Sequence, residues 1–204
     1  NKNHLFIKRD KEEALYFTND LENILKKEVL FFPASFRRSY QFNETDNSNV
    51  LLRSEVLNKL NNKKNNIIIT YPEAISEKVI HKTELRKKTI KLELNSKLEL
   101  ETIDELLEKE KFELIDFVTD PGQYSIRGGI IDIFSFAHEH PYRIELNEDK
   151  IESIRTFDIN TQLSIEEQNK VEIIPNTHSK KVITKKSIFL NYLNKDCIIW
   201  IKDT

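Results

Sequence analysis

Glycine is almost missing from this chain: three residues in 204, and all of them, Gly122, Gly128 and Gly129, fall close together. The backbone freedom that glycine supplies, positive φ or close approach, is therefore demanded at one place. Cysteine is reduced to Cys197, which excludes an internal disulfide and a zinc centre built from cysteines. Methionine is absent and the chain opens at Asn1, so we expect a piece of something larger. No apolar run approaches the ~20 residues of a membrane-spanning helix, and no leader pattern opens the chain. The expectation is a cytoplasmic protein without a membrane partner. Charge of one sign is also lacking: Lys and Arg number 32 against 34 Asp and Glu, a net charge of -2. That balance argues against a dedicated nucleic-acid binder and leaves a local basic patch open.

What is present alternates first and then changes texture. Residues 12–26 carry Leu15, Leu21, Ile24 and Leu25 at helical spacing, and Val29-Leu30-Phe31-Phe32 is an apolar run stopped by Pro33, as in a buried strand. Residues 43–49 are polar, 54–60 read as a helix, and 61–66 as a polar turn. Ile67-Ile68-Ile69-Thr70 predicts a second buried strand, followed by Pro72 at a helix start. Strands separated by helices imply a parallel sheet. Beyond about residue 87, 89–94 alternate and 98–109 read as an amphipathic helix. Strands then dominate: 114–118, 124–136, and 142–157 as a hairpin turning at 147–149. Such clustering predicts an α+β unit with an antiparallel sheet. Ile173-Ile174-Pro175 closes it, residues 187–193 suit a helix, and 197–201 suit a third buried strand.

Enzyme chemistry finds little support. The glycine cluster has the spacing of neither common phosphate-binding loop, and a strand follows it instead of a helix. His138 and His140 share a strand face if that segment is extended, but a metal needs further ligands, and a solvated loop is the simpler account. Cys197, in Cys-Ile-Ile-Trp-Ile, reads as a core thiol. Asp132, in Gly-Ile-Ile-Asp-Ile-Phe, needs a partner, which Arg127, Arg143 or a backbone turn supplies. A structural ion pair is the common form of this arrangement, and a catalytic carboxylate the rarer one. Arg127 and Arg143 lie on strands of one small sheet, with Glu145 on the face of Arg143. An exposed Arg–Glu–Arg face suits protein recognition, and an ordinary solvated strand face has the same spacing.

Residues 116–136 (DFVTDPGQYSIRGGIIDIFSF), with 141–146 (PYRIEL), 152–158 (ESIRTFD) and Thr161-Gln162, resemble the bacterial transcription-repair coupling factor family. The same block is similar to the excision-repair subunit UvrB, which shares the module. Residues 29–33, 51–60 and 67–74 resemble the family's preceding first domain. UvrB carries an aromatic-tipped hairpin where residues 40–49 here are short and polar, with Tyr40 and Phe42 as the aromatics. That favours the coupling factor over a UvrB-type fragment with a DNA- or nucleotide-binding role.

The resemblance implies an α/β fold: a partial, vestigial motor-like domain with a parallel sheet, interrupted by a small α+β domain with an antiparallel sheet. By that analogy residues 1–87 and 175–204 belong to the first and 88–174 to the second, which docks onto UvrA. Arg127 and Arg143 match two arginines that the family uses to contact UvrA, and Glu145 matches an acidic position beside the second, so all three are expected at the docking face. Asn147 stands where the family often has a contact aromatic, and Ser125 where UvrB has a basic residue, which would weaken or retune docking. Gly122, Gly128 and Gly129 are expected to be structural, Gly122 at a tight start of a strand and Gly128-Gly129 in close packing. The resemblance further implies a parent that is an ATP-driven DNA translocase releasing stalled RNA polymerase, with motor motifs beyond Thr204. This stretch itself would be non-catalytic and hold no cofactor or metal, while the parent motor uses ATP and magnesium. RNA polymerase and DNA would be reached through other domains. The docking face would be masked by an intramolecular contact with the carboxy-terminal part, so an autoinhibitory scaffold stands as an alternative to recruitment. Weak DNA contact by Arg37, Arg38, Lys180-Lys181 or Lys185-Lys186 stays open.

Overall fold

The structure is a computed structural model that describes residues 2–36, 47–62, 65–177 and 185–202. In chain order its elements are β1 (His4–Ile7), α1 (Lys11–Leu25), β2 (Leu30–Phe31), α2 (Asn47–Asn62), β3 (Ile67–Thr70), α3 (Pro72–Ser76), β4 (Val79–Ile80) and α4 (Lys82–Lys88). There follow β5 (Ile90–Glu93), α5 (Leu100–Lys109), β6 (Glu113–Leu114), β7 (Gln123–Arg127), β8 (Ile130–Ile133), β9 (Tyr142–Asn147) and β10 (Lys150–Phe157). Then come β11 (Ser164–Glu167), β12 (Lys170–Ile173), β13 (Lys186–Ser187), a 3-10 turn (Phe189–Tyr192) and β14 (Ile198–Ile201). The chain forms two compact units, one of Asn1–Arg86 with Ile183–Thr204 and the other of Lys87–Val182.

The first unit is a four-stranded sheet ordered β14-β1-β3-β2, parallel throughout. Parallel strands need crossovers, and α1 and α2 supply them between β1, β2 and β3. Asp10 caps α1 by accepting from the Glu13 amide (2.8 Å), and Lys26 ends it with φ 50. Leu5, Ile68 and Ile69 are fully buried, and Phe32 stacks on Phe189 with centroids 4.1 Å apart. The predicted helix at 54–60 is the middle of a longer one that takes in Asn47–Asn62. Its polar start conceals inward-facing groups. Asn49 and Ser54 are buried, and Arg53 lies wholly inside, donating to the carbonyls of Pro33 (2.6 Å) and Ala74 (3.3 Å). Desolvation pulls the Arg53 pKa down to about 10, against the opposing pull of Glu77, 3.5 Å away.

The strand at the end of the apolar run is not a buried one. β14 sits at the sheet edge beside β1, and its residues are exposed, Trp200 to 49 % and Ile201 to 72 %. An apolar run implies burial only when neighbours cover both faces and both edges, and an edge position removes that condition. Cys197 precedes this strand with intermediate exposure and is not a core thiol. Residues 187–193 form a short strand and a single 3-10 turn, in which Tyr192 is buried and donates to the Ile80 carbonyl (2.8 Å).

The second unit is a six-stranded sheet ordered β11-β10-β9-β8-β7-β6, antiparallel except for the β6–β7 pair. A separate pair, β5 with β12, joins residues far apart in sequence. One face of the large sheet holds Tyr124, Ile131, Ile133, Tyr142, Ile144 and Ile154, all buried. The helix α5 is tied to this face, where the Tyr124 hydroxyl donates to Asp104 (2.5 Å). The stretch 124–136 is two strands, with Gly128-Gly129 as the hairpin loop between β7 and β8. Gly128 has φ 60 at the first loop position, where a II′ turn favours glycine. Gly129 packs against β9 so closely that a Cβ there would stand 2.9 Å from the Leu146 carbonyl oxygen. Gly122 has φ 90, and a Cβ there would meet the Phe136 ring at 2.6 Å. The second hairpin turns on Glu148-Asp149 alone, since Asn147 pairs with Lys150 as the last residue of β9. The expected strand at 114–118 shrinks to Glu113–Leu114, after which the chain bends away with Val118 buried.

Candidate functional site

Strand alternation puts one side chain in two on the face opposite the apolar core. Register then decides which of these become neighbours. Ser125 lies opposite Asp132, Asp132 opposite Arg143, Arg143 opposite Arg155, and Arg155 opposite Glu167, making one row across five strands. The next row on the same face places Glu145 between Ile130 and Ser153, with Arg127 beyond. A row of this kind brings residues from 125 to 167 together, and no shorter stretch of sequence contains it.

Asp132 is the centre. Its side chain is 2 % exposed, and it accepts from two guanidinium groups. Arg143 grips it with Nε to Oδ1 at 2.7 Å and Nη2 to Oδ2 at 2.8 Å, while Arg127 Nη2 reaches Oδ2 at 2.6 Å. Burial of a lone carboxylate would be costly, and two charge-assisted partners offset that cost. Asp132 in turn holds the Arg143 guanidinium above its ordinary pKa. Arg143 also donates to Gln162 (2.9 Å) and lies over the Phe157 ring at 4.2 Å. Arg127 donates to the Asp116 carbonyl (2.5 Å) and lies 5.1 Å from the Phe117 ring centroid.

Glu145 forms a second knot beside the first. It accepts from Ser153 (2.7 Å) and from both terminal nitrogens of Arg155. Those bonds, that of Ser153 first, hold its carboxyl below the usual glutamate range. The side chains of Arg127, Arg143 and Glu145 are thus only partly open, at 38 %, 15 % and 31 %. Each faces outward with several of its polar atoms already engaged, so the side chains are held in place while Arg127 and Arg143 keep part of their guanidinium open. Asn147 is exposed at the hairpin end, on the same side as Arg143 and Glu145. Ser125 is buried beside Asp132, and its hydroxyl has no partner among the described residues.

Sequence reasoning named the two arginines and their possible carboxylate. It missed Arg155, Gln162 and Phe117, which reach the face from strands and loops whose neighbours the sequence does not state. His138 turns to the backbone of His140 and packs on Tyr142 at 4.9 Å, a local turn. Among the described residues no three His, Cys, Asp or Glu side chains gather as a metal site. Arg37, Arg38, Lys180 and Lys181 lie outside the described residues. Lys185 is described, and its amide donates to Glu84 (2.6 Å). No helix among the described residues is long and apolar enough to cross a membrane.

Residues 90–178, which contain the whole of this face, match the family described as UvrB interaction domain. The chain is 30 % identical over 177 residues to the transcription-repair-coupling factor of Bacillus subtilis (strain 168), covering 86 % of this chain and 15 % of that protein. It is 32 % identical over 183 residues to the transcription-repair-coupling factor of Rickettsia bellii (strain RML369-C), covering 83 % and 16 %. A shorter match, 48 % identical over 71 residues, joins it to the Staphylococcus aureus (strain MSSA476) factor, covering 35 % and 6 %. The chain thus spans less than a fifth of the length of these relatives.

Proposed function

We infer that this chain, a homologue of the amino-terminal region of the transcription-repair coupling factors with their UvrB interaction domain, recruits a nucleotide excision repair protein. The partner is UvrA, and the contact is the sheet face of Arg127, Arg143 and Glu145. The observation that carries this reading is the pair of arginines fastened to one buried carboxylate inside the matched domain. Guanidinium groups held in advance lose little freedom on binding, and they present planar donors to carboxylates of a partner. Recruitment of this kind needs no chemistry from the chain itself. In the longer protein an ATP-driven motor elsewhere releases stalled RNA polymerase, and this module passes the lesion to repair.

The test is calorimetric titration of the chain against UvrA of the same organism, with Arg127→Ala and Arg143→Ala alongside. Saturable binding is expected, weakened in each variant by about 2 kcal/mol, near thirtyfold. Unchanged affinity in both variants removes the arginines from the contact. A folded chain that does not bind UvrA, yet binds the carboxy-terminal part of its own longer protein, makes the module a mask instead.

A further inference from the structure

Phe117 is 65 % exposed, yet it is not a loosely placed side chain. The loop that carries it is tied down on both sides. On one side the Asp116 carbonyl accepts from Arg127 (2.5 Å). On the other, Val118 is buried, and Gln123 Oε1 accepts from the amides of Thr119 (2.9 Å) and Asp120 (2.8 Å). Between these ties the Phe117 ring lies over the Arg127 guanidinium, and Arg127 is fixed in turn by Asp132. Single exposed apolar residues are ordinary on protein surfaces. An aromatic ring on a tethered stretch of backbone, lying against a locked arginine, is a different object, because part of its ordering cost is met before any partner arrives.

We propose that Phe117 is the aromatic anchor of the docking face and enters an apolar socket on the partner. The inference rests on the recruitment reading given above. The chemistry of the socket follows from what surrounds the ring. Arg127 is the cation beside the ring, and it shares the Asp132 carboxylate with Arg143, so two guanidinium groups divide one negative charge there. The matching surface is an apolar pocket with an acidic residue at its rim. Aromatic and arginine side chains together at a fixed spot are the composition that dominates interface energies. Phe117 contributes area and the arginines contribute direction.

The experiment is a double-mutant cycle read by titration of the chain with UvrA, using Phe117→Ala, Arg127→Ala and the double variant. Tyr16→Ala, a 74 % exposed aromatic of the other unit, is measured beside them. Phe117→Ala should weaken binding by ~5-fold or more, and should weaken it again in the Arg127→Ala background. Tyr16→Ala should leave the affinity unchanged. A loss that disappears in the Arg127→Ala background makes Phe117 a support for that arginine and overturns the anchor. Equal weakening by Tyr16→Ala overturns it as well, as a general loss of apolar surface. Wild-type affinity in Phe117→Ala, with the arginine variants weakened, overturns the anchor and leaves recruitment standing. Absence of wild-type binding removes both.

Discussion

Arg143 and Asp132 face each other on adjacent antiparallel strands and meet through two parallel hydrogen bonds of 2.7 and 2.8 Å. That grip leaves one more acceptor direction on Asp132 Oδ2, which Arg127 fills from the far side at 2.6 Å. The two arginines thus act as one body, and the carboxylate beneath them decides where they point.

Asp132→Asn tests this arrangement. The amide keeps the shape but removes the charge that two guanidinium groups share, in a position closed to water. Breaking a buried pair in this way should cost about 3 kcal/mol of unfolding free energy. Urea denaturation reads the loss. If the arginines are contact groups, affinity for UvrA should fall in the same variant although Asp132 itself is out of reach of a partner. Stability within about 0.5 kcal/mol of wild type, the scatter of surface changes, would remove Asp132 from its central place.

The glycines separate strain from crowding. Gly122→Ala meets both, a left-handed φ of 90 and the Phe136 ring at 2.6 Å from the new Cβ. It should destabilise the second unit by about 3 kcal/mol. Gly128→Ala meets φ 60 but has nothing within 4 Å of the new Cβ, so only about 1 kcal/mol is expected. Thermal melts of the two variants should fall in that order, and the reverse order would contradict the hairpin geometry.

Arg53 supplies a prediction for the first unit. Its side chain is 0 % exposed and joins the segment after β2 to α3 through the Pro33 and Ala74 carbonyls, with its guanidinium 4.2 Å from the Phe32 ring. Arg53→Ala leaves a cavity and two buried carbonyls without this donor. The expected cost is about 3–5 kcal/mol, visible as early loss of tryptophan or circular dichroism signal in urea. Arg53→Met refills the volume and should recover part of that loss. Equal behaviour of the two variants would mean that packing contributes nothing.

Glu145 sets a pH dependence. Its folded pKa is depressed by Ser153 and Arg155, so it contributes stability above the unfolded glutamate pKa of about 4.3. That contribution is lost as pH falls through the lower folded value. Wild type should therefore lose its advantage over Glu145→Gln below pH ~4.3, and keep it unchanged between pH ~6 and ~8. Denaturation of both proteins at stepped pH measures the difference. A gap that widens on acidification would reverse the sign and refute the bonding around Glu145.

Periodicity within short segments was enough to locate α1, β2, β3, α5 and the β9–β10 hairpin, because a local pattern of apolar residues reports which side of an element is covered. The same alternation placed Arg143 and Glu145 on one face. The distribution of glycine, not periodicity, marked residues 122–129 as the region needing special backbone, since glycine occurs nowhere else. Periodicity could not say what a covered side is covered by. The run at 198–201 has the composition of a buried strand and is an exposed edge. Arg53 has the composition of a helix surface and is fully inside. The sequence left Asp132 with three candidate partners, and register across β7, β8 and β9 gave it two of them at once. Phe117, Gln162 and Arg155 join that face only because the chain returns to it from loops and strands many residues away. Such contacts depend on strand order and on the free energy of the whole sheet, which no local window contains, whereas element type depends on neighbours three or four residues along the chain.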